Sequence, residues 1–150
     1  MKINKWLEAS LFKEFMVDVV NIQRIYFFTD APVATVDFPS TEGVAYWTDN
    51  LLASKVLLQI DLSPTESYNI GSENLNLDMT FQWASTASFS ATQDGIANWF
   101  LMTDSSNNPY FMGQVTGPDL GGDIELSNNT IVTGQKYKIY NYKMSYNQLV

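Results

Sequence analysis

The chain has 150 residues with no cysteine and no histidine, 16 acidic against 8 basic side chains, and 16% charged positions against 45% hydrophobic ones. Without imidazole or thiol there is no Ser-His-Asp triad, no cysteine nucleophile, no disulfide framework and no zinc site built on thiolate or imidazole. A chain of this length buries roughly 70% of its unfolded surface as one domain, so neither metal nor disulfide is needed as a staple.

The net charge of −8 is unevenly spread. Residues 1–24 carry four basic and three acidic side chains, residues 25–135 carry Lys55 alone against thirteen acids, and residues 136–150 carry Lys136, Lys138 and Lys143 with no acid. So acidic a body repels phosphate backbones, and nucleic acid is not an expected partner. The start, Met1-Lys2-Ile3-Asn4-Lys5-Trp6, has a charged beginning, but Glu8, Lys13, Glu14 and Asp18 interrupt the apolar stretch behind it, so no secretory signal is expected. No uncharged apolar run approaches the ~20 residues that span a bilayer, and no membrane partner is expected.

In residues 3–22, Ile3, Leu7, Leu11, Phe15 and Val19 recur at steps of four, flanked by Trp6, Phe12, Met16 and Val20. This pattern predicts an amphipathic helix with a broad apolar stripe. The helix either packs on its own domain or docks through Trp6, Leu7, Leu11 and Phe15 onto a partner subunit. The period then shortens to two. Residues 24–28 and 33–38 read as β-segments separated by Thr29-Asp30-Ala31-Pro32, and residues 39–50 read as a loop. Leu52, Val56, Leu58, Ile60 and Leu62 share one face of a half-buried strand, with Lys55, Gln59 and Asp61 opposite, ending at Ser63-Pro64.

Residues 74–83 give the clearest strand, with Leu75, Leu77, Met79, Phe81 and Trp83 in strict alternation, and a slip of one residue would turn all five outward. A shorter alternation through Ala87, Phe89 and Ala91 follows. Residues 97–102 are apolar on both faces, which predicts a central strand or an interface. The loop from Asp104 to Pro109 and the segment Tyr110 to Val115 have the spacing of a hairpin. A Gly-rich loop, Thr116 to Gly122, precedes residues 123–126, and Tyr-rich residues 135–146 form the last predicted strand, whose apolar phase switches near Ile139 through a bulge or through cover on both faces. As a terminal strand it is a candidate subunit contact through Tyr140 and Tyr142. Short strands with turns about every ten residues predict a mainly β fold, an antiparallel β-sandwich or jelly roll over residues 23–150, behind an N-terminal amphipathic helix at residues 1–22.

Few residues carry chemistry. Asp119, Asp123 and Glu125, among Gly121 and Gly122, form a weak Ca²⁺ candidate, but their spacing matches no EF-hand and Asp and Gly are ordinary turn residues, so no metal and no cofactor is expected. A glycosidase needs two carboxylates roughly 5–9.5 Å apart, and the sequence singles out no such pair. Tyr46 and Trp47, in the long loop region, are candidates to stack on a sugar ring, whereas Trp83 and Trp99 sit at strand positions and read as core.

The segments in order resemble a family of small β-rich proteins encoded among the virion genes of tailed bacteriophages. The likeness runs over most of the chain. It includes Arg24-Ile25-Tyr26 with Ala31-Pro32, Leu51-Leu52-Ala53, and Ala91-Thr92-Gln93-Asp94-Gly95 leading to Trp99-Phe100. Thr103-Asp104-Ser105-Ser106 before Met112-Gly113-Gln114-Val115, and Gly121 to Leu126 before Ile131 and Gly134, resemble the family's last hairpin and ending. Phe27-Phe28 stands where the family usually has Asp-Gly. The resemblance implies a non-enzymatic structural protein of the virion, assembled in the host cytoplasm, without catalytic residues. It implies a capsid decoration or cement protein on the head surface, or else a neck or tail component, in contact with capsid, neck or tail subunits and expected as a homo-oligomer. The alternative is a carbohydrate- or receptor-binding module on the same particle, using Tyr46 and Trp47.

Overall fold

A computed structural model of the chain describes residues 21–30, 56–64, 70–71, 76–139 and 142–149. These residues are β-rich, and among them there is no helix. The predicted helix at residues 3–22 and the strand at 33–38 fall outside the described residues, save for Asn21 and Ile22.

The main sheet has five strands: β1 (Arg24–Phe28), β2 (Leu58–Asp61), β8 (Trp99–Thr103), β9 (Pro109–Thr116) and β10 (Ile124–Glu125), in the spatial order β10-β9-β8-β1-β2. β1 lies antiparallel to both β2 and β8, with Phe27 opposite Leu58 on one side and Phe100 on the other. Both its edges are therefore filled, and packing on both its faces buries Ile25, Tyr26, Phe27 and Phe28. Alternation sends them to opposite faces. Ile25, Phe27, Leu58, Ile60, Phe100 and Met102 point into the larger core, while Tyr26, Phe28 and Leu101 join Val56, Trp99 and Met112 on the reverse face. Burial of Phe27, Leu58 or Ile60, each at most 2% exposed, contributes about 1.5–3 kcal/mol.

β8 and β9 form the predicted hairpin, with a register shift between Met102 and Thr103. Asp104 shapes its turn. Its Oδ1 accepts the amides of Ser106 and Asn108 at 2.8 and 2.9 Å, and its Oδ2 accepts Asn108 Nδ2 at 2.7 Å. Asn107 takes the left-handed conformation at φ 64°, which asparagine tolerates better than most residues.

The remaining strands are β3 (Ser63–Pro64), β4 (Ile70–Gly71), β5 (Asn76–Ala84), β6 (Phe89–Ser90), β7 (Gly95–Ile96), β11 (Thr130–Ile131), β12 (Lys136–Tyr137) and β13 (Tyr142–Leu149). β5 pairs antiparallel with β13 over eight residues, and β3 and β4 lie along its other edge. β6 pairs with β12 and β7 with β11. Trp83 of β5, Ala91 and Ile131 share the larger core with the inner face of the main sheet.

Three expectations need correcting. The sheet is not wholly antiparallel, because β10 runs parallel to β9, Ile124 opposite Val115. The segment at 52–62 does not end at Ser63-Pro64. After β2 the amide of Leu62 bonds the Gln23 carbonyl at 2.7 Å, and Ser63-Pro64 crosses to pair with Trp83 and Ala84 on β5. Residues 135–146 are not one strand. The chain leaves β12, bonds to Ser85 through both the amide and the carbonyl of Ile139, and restarts as β13 on a different neighbour. Between Tyr137 and Tyr142 the strand partner thus changes from β6 to β5.

Candidate binding cleft

The segment from Leu126 to Ile139 returns across the inner face of the main sheet and packs on it through Ile131, with Leu126, Tyr137 and Ile139 half-buried against the same core. Between them lies a cleft of about 390 Å³, within the usual range for small-ligand sites. Half-buried Leu126, Tyr137 and Ile139 line it, and Phe27, Leu58 and Ile60, each at most 2% exposed, lie behind them at its base. Ser88, Asn128, Thr130 and Gln135 supply hydroxyl and amide groups, and Lys136 and Lys138 supply ammonium groups.

Two local devices hold the wall. The Tyr137 hydroxyl donates to Gln135 Oε1 at 2.9 Å and accepts the Val132 amide at 3.0 Å, which ties down the turn between β11 and β12. Asp94 Oδ1 accepts the Thr133 amide at 2.6 Å across 39 positions. These bonds to Thr133 hold the exposed Asp94 carboxyl below the usual aspartate value of 3.8. The cleft thus presents hydroxyl, amide and ammonium groups beside half-buried Leu126, Tyr137 and Ile139.

Asp119, Asp123 and Glu125 serve the backbone. Glu125 Oε1 accepts the Gly121 amide at 2.9 Å and its Oε2 the Asp119 amide at 3.2 Å, while Asp123 Oδ2 accepts the Gln114 amide at 2.8 Å. Among the described residues no group of three or more His, Cys, Asp or Glu side chains is placed to hold a metal ion. The effect of these bonds is a stiff loop at residues 117–122, in which Asp119 (φ 61°) and Gly121 (φ 75°) are both left-handed. Such positions cost non-glycine residues roughly 1–2 kcal/mol, and the Glu125 clamp offsets part of that at Asp119.

Tyr142 is half-buried. It faces Trp83 across the β5–β13 ladder and stacks on it, with ring centroids 5.9 Å apart and 22° between planes. Burial, and then the charge of Asp123, push its phenol up to about 12. Trp83 is core, as its strand position predicts, and Trp99 is half-buried on the reverse face of the main sheet. Trp6, Leu7, Leu11, Phe15, Tyr46, Trp47 and Tyr140 lie outside the described residues.

Sequence reasoning missed the cleft. Its base belongs to β1 and β2 and its rim to residues 126–139, which are brought together by the pairings of β6 with β12 and β7 with β11 and by bonds such as that of Thr133 to Asp94. The isolated Lys136 and Lys138, after a body with Lys55 as its only base, were the available signal. No family model, no curated protein and no solved structure matches the chain. Among the described residues, no helix is long and apolar enough to cross a membrane.

Proposed function

We propose that this protein is a non-enzymatic structural component of a tailed-phage virion, a capsid decoration or cement protein that binds the head surface as an oligomer, with its strands arranged as a β-sandwich of jelly-roll type. The observation that carries the reading is where the phage-like segments fall. Arg24-Ile25-Tyr26, Trp99-Phe100, Met112 to Val115 and Ile124-Glu125 occupy β1, β8, β9 and β10, four consecutive neighbours in one sheet. Two further positions of the resemblance, Gly95 on β7 and Ile131 on β11, pair with each other in a separate two-stranded ladder. The packing of this sheet over Trp83 and Ile131 supports a layered arrangement.

In this reading the acidic body is displayed to solvent, and the basic, aromatic ends reach neighbouring subunits. Mass spectrometry of purified particles with a copy-number estimate tests it. Hundreds of copies per particle fit decoration, a dozen or fewer fit a neck or tail component, and absence from the particle overturns the reading. Deletion of residues 1–22 is expected to abolish incorporation.

The cleft favours a second reading, a receptor- or carbohydrate-binding module on the same particle, because its volume and mixed lining suit a small ligand. Binding of a glycan panel that is lost on Tyr46→Ala, Trp47→Ala or Lys136→Glu supports it, and silence across the panel rejects it.

A further inference from the structure

The lining of the cleft runs against the composition of the chain. Among the described residues that line it there is no Asp or Glu, although the chain carries 16 acids against 8 bases. Lys136 and Lys138 both belong to it, whereas residues 25–135 hold Lys55 as their one base. Lys136 forms no ion pair with another described residue, so no described carboxylate neutralises it.

Bonds made inside the chain leave the amides of this wall as donors. Asn128 Oδ1 accepts the Thr130 amide at 2.9 Å, and Gln135 Oε1 accepts the Tyr137 hydroxyl at 2.9 Å. The second bond has a fixed direction. The Tyr137 hydroxyl accepts the Val132 amide at 3.0 Å, and its single proton goes to Gln135. With each carbonyl oxygen held in this way, what Asn128 and Gln135 add to the cleft is an NH2 group. Ser88 and Thr130 add hydroxyls, which donate or accept as a ligand requires. The ladders of β6 with β12 and β7 with β11 hold these groups around one space.

We propose that the cleft is an oxyanion-binding site, which takes the carboxylate, sulfate or phosphate group of a small ligand on the Lys136 ammonium and the NH2 groups of Asn128 and Gln135. This narrows the small-ligand reading of the cleft to anionic ligands and rests on that reading. A hydrogen bond from an ammonium to an anion is roughly twice as strong as one between neutral groups. Discrimination therefore falls on the charge of the ligand, and a neutral molecule of similar shape loses the larger part of it.

Titration of the full, 15N-labelled chain with glucuronate, glucose and inorganic sulfate, followed by NMR, tests it. Glucuronate is expected to bind with a dissociation constant on the order of 1 mM and to move the side-chain NH2 resonances of Asn128 and Gln135. It is expected to bind roughly tenfold more tightly than glucose, and less tightly as salt rises. Lys136→Glu is expected to weaken it roughly tenfold or more. Asn128→Asp and Gln135→Glu keep the oxygen that serves Thr130 or Tyr137 and replace the NH2 with an acceptor, so each is expected to weaken glucuronate roughly fivefold or more. Lys143→Glu makes the same charge change at a residue outside the lining and is expected to alter binding less than about twofold. All four positions are examined by circular dichroism and thermal melting to confirm folding.

Sulfate that moves the same two NH2 resonances shows that the anionic group alone is recognised. Sulfate that leaves them in place while glucuronate moves them shows that the carboxylate is. Both outcomes uphold the proposal. It is overturned if no probe moves these resonances, if glucose binds as tightly as glucuronate, or if Lys143→Glu weakens binding as much as Lys136→Glu. Glucose binding without preference for the acid would leave the small-ligand reading of the cleft standing, whereas a panel of neutral and acidic glycans that all fail to bind removes both.

Discussion

Tyr26 and Asn107, 81 positions apart, meet in one hydrogen bond, the Tyr26 hydroxyl donating to Asn107 Oδ1 at 2.7 Å. Arg24 Nη1 donates to the same oxygen at 3.0 Å. One left-handed residue at the tip of the β8–β9 hairpin thereby satisfies two side chains of the neighbouring strand β1. Burial raises the Tyr26 phenol above its ordinary value of 10.0 against the pull of Arg24, which keeps the hydroxyl a donor at neutral pH.

Asn107→Ala is expected to cost about 2–4 kcal/mol, because alanine resists positive φ and the Tyr26 hydroxyl loses its acceptor. Asn107→Gly removes only the acceptor and is expected to cost about 1–3 kcal/mol, and Tyr26→Phe about 1 kcal/mol. Urea unfolding of the three variants checks the ranking. An alanine variant as stable as the glycine one would show that the backbone conformation is unstrained.

Gly113→Ala is expected to destabilise by about 1–3 kcal/mol. A Cβ there would lie 2.5 Å from Asp123 Oδ2 and 2.7 Å from Phe100 Cε1, and moving the Asp123 carboxylate would weaken its bond to the Gln114 amide. For a chain of this size, thermal unfolding should fall by roughly 2–12 °C. An unchanged midpoint contradicts the tight approach of Gly113 to Asp123.

Acid should release the tether between Asp94 and Thr133. The folded-state value of Asp94 lies below its ordinary 3.8, so the stabilisation it gives is present above 3.8 and is lost as pH falls through the lowered value. The Thr133 amide resonance should titrate with a midpoint below 3.8, and Asp94→Asn should abolish the titration. A midpoint at or above 3.8 would rule the tether out.

Alkali should act at Tyr142. Its phenol is raised from 10.0 to about 12, so the stabilisation is full below pH 10.0 and is lost as pH rises through about 12. Absorbance titration should show a phenol ionising near pH 12 that is absent from Tyr142→Phe, which keeps the ring on Trp83, and this variant should lose less stability in alkali, the remainder falling to Tyr26. An alkaline loss of stability undiminished in the phenylalanine variant would rule out the contribution of Tyr142.

Sequence periodicity located strands where one element obeys one rule. Residues 24–28 and the hairpin of β8 and β9 were readable because they are short apolar, aromatic-rich runs bounded by turn residues, and an Asp-Ser-Ser-Asn-Asn turn joins the hairpin. The two-faced apolar character of residues 97–102 correctly pointed to a central strand, since β8 lies between β1 and β9. Periodicity failed where the chain changes neighbours. Ser63-Pro64 reads as a stop, yet its backbone pairs with β5, and proline is tolerated because that strand is short and lies at an edge. The parallel pairing of β10 was equally hidden, because parallel neighbours normally need a crossover of a dozen or more residues and residues 117–123 are far fewer. At the candidate sites the sequence supplied carboxylates and lysines but not their partners. Glu125 looks like a ligand until the amides of Asp119 and Gly121 are found on its two oxygens.

The chain leaves β1 at Phe28, and when it returns the Leu57 amide bonds the Phe27 carbonyl at 2.9 Å. Departure and return therefore occupy adjacent rungs of one ladder, so displacing β1 from the sheet would release both ends at once.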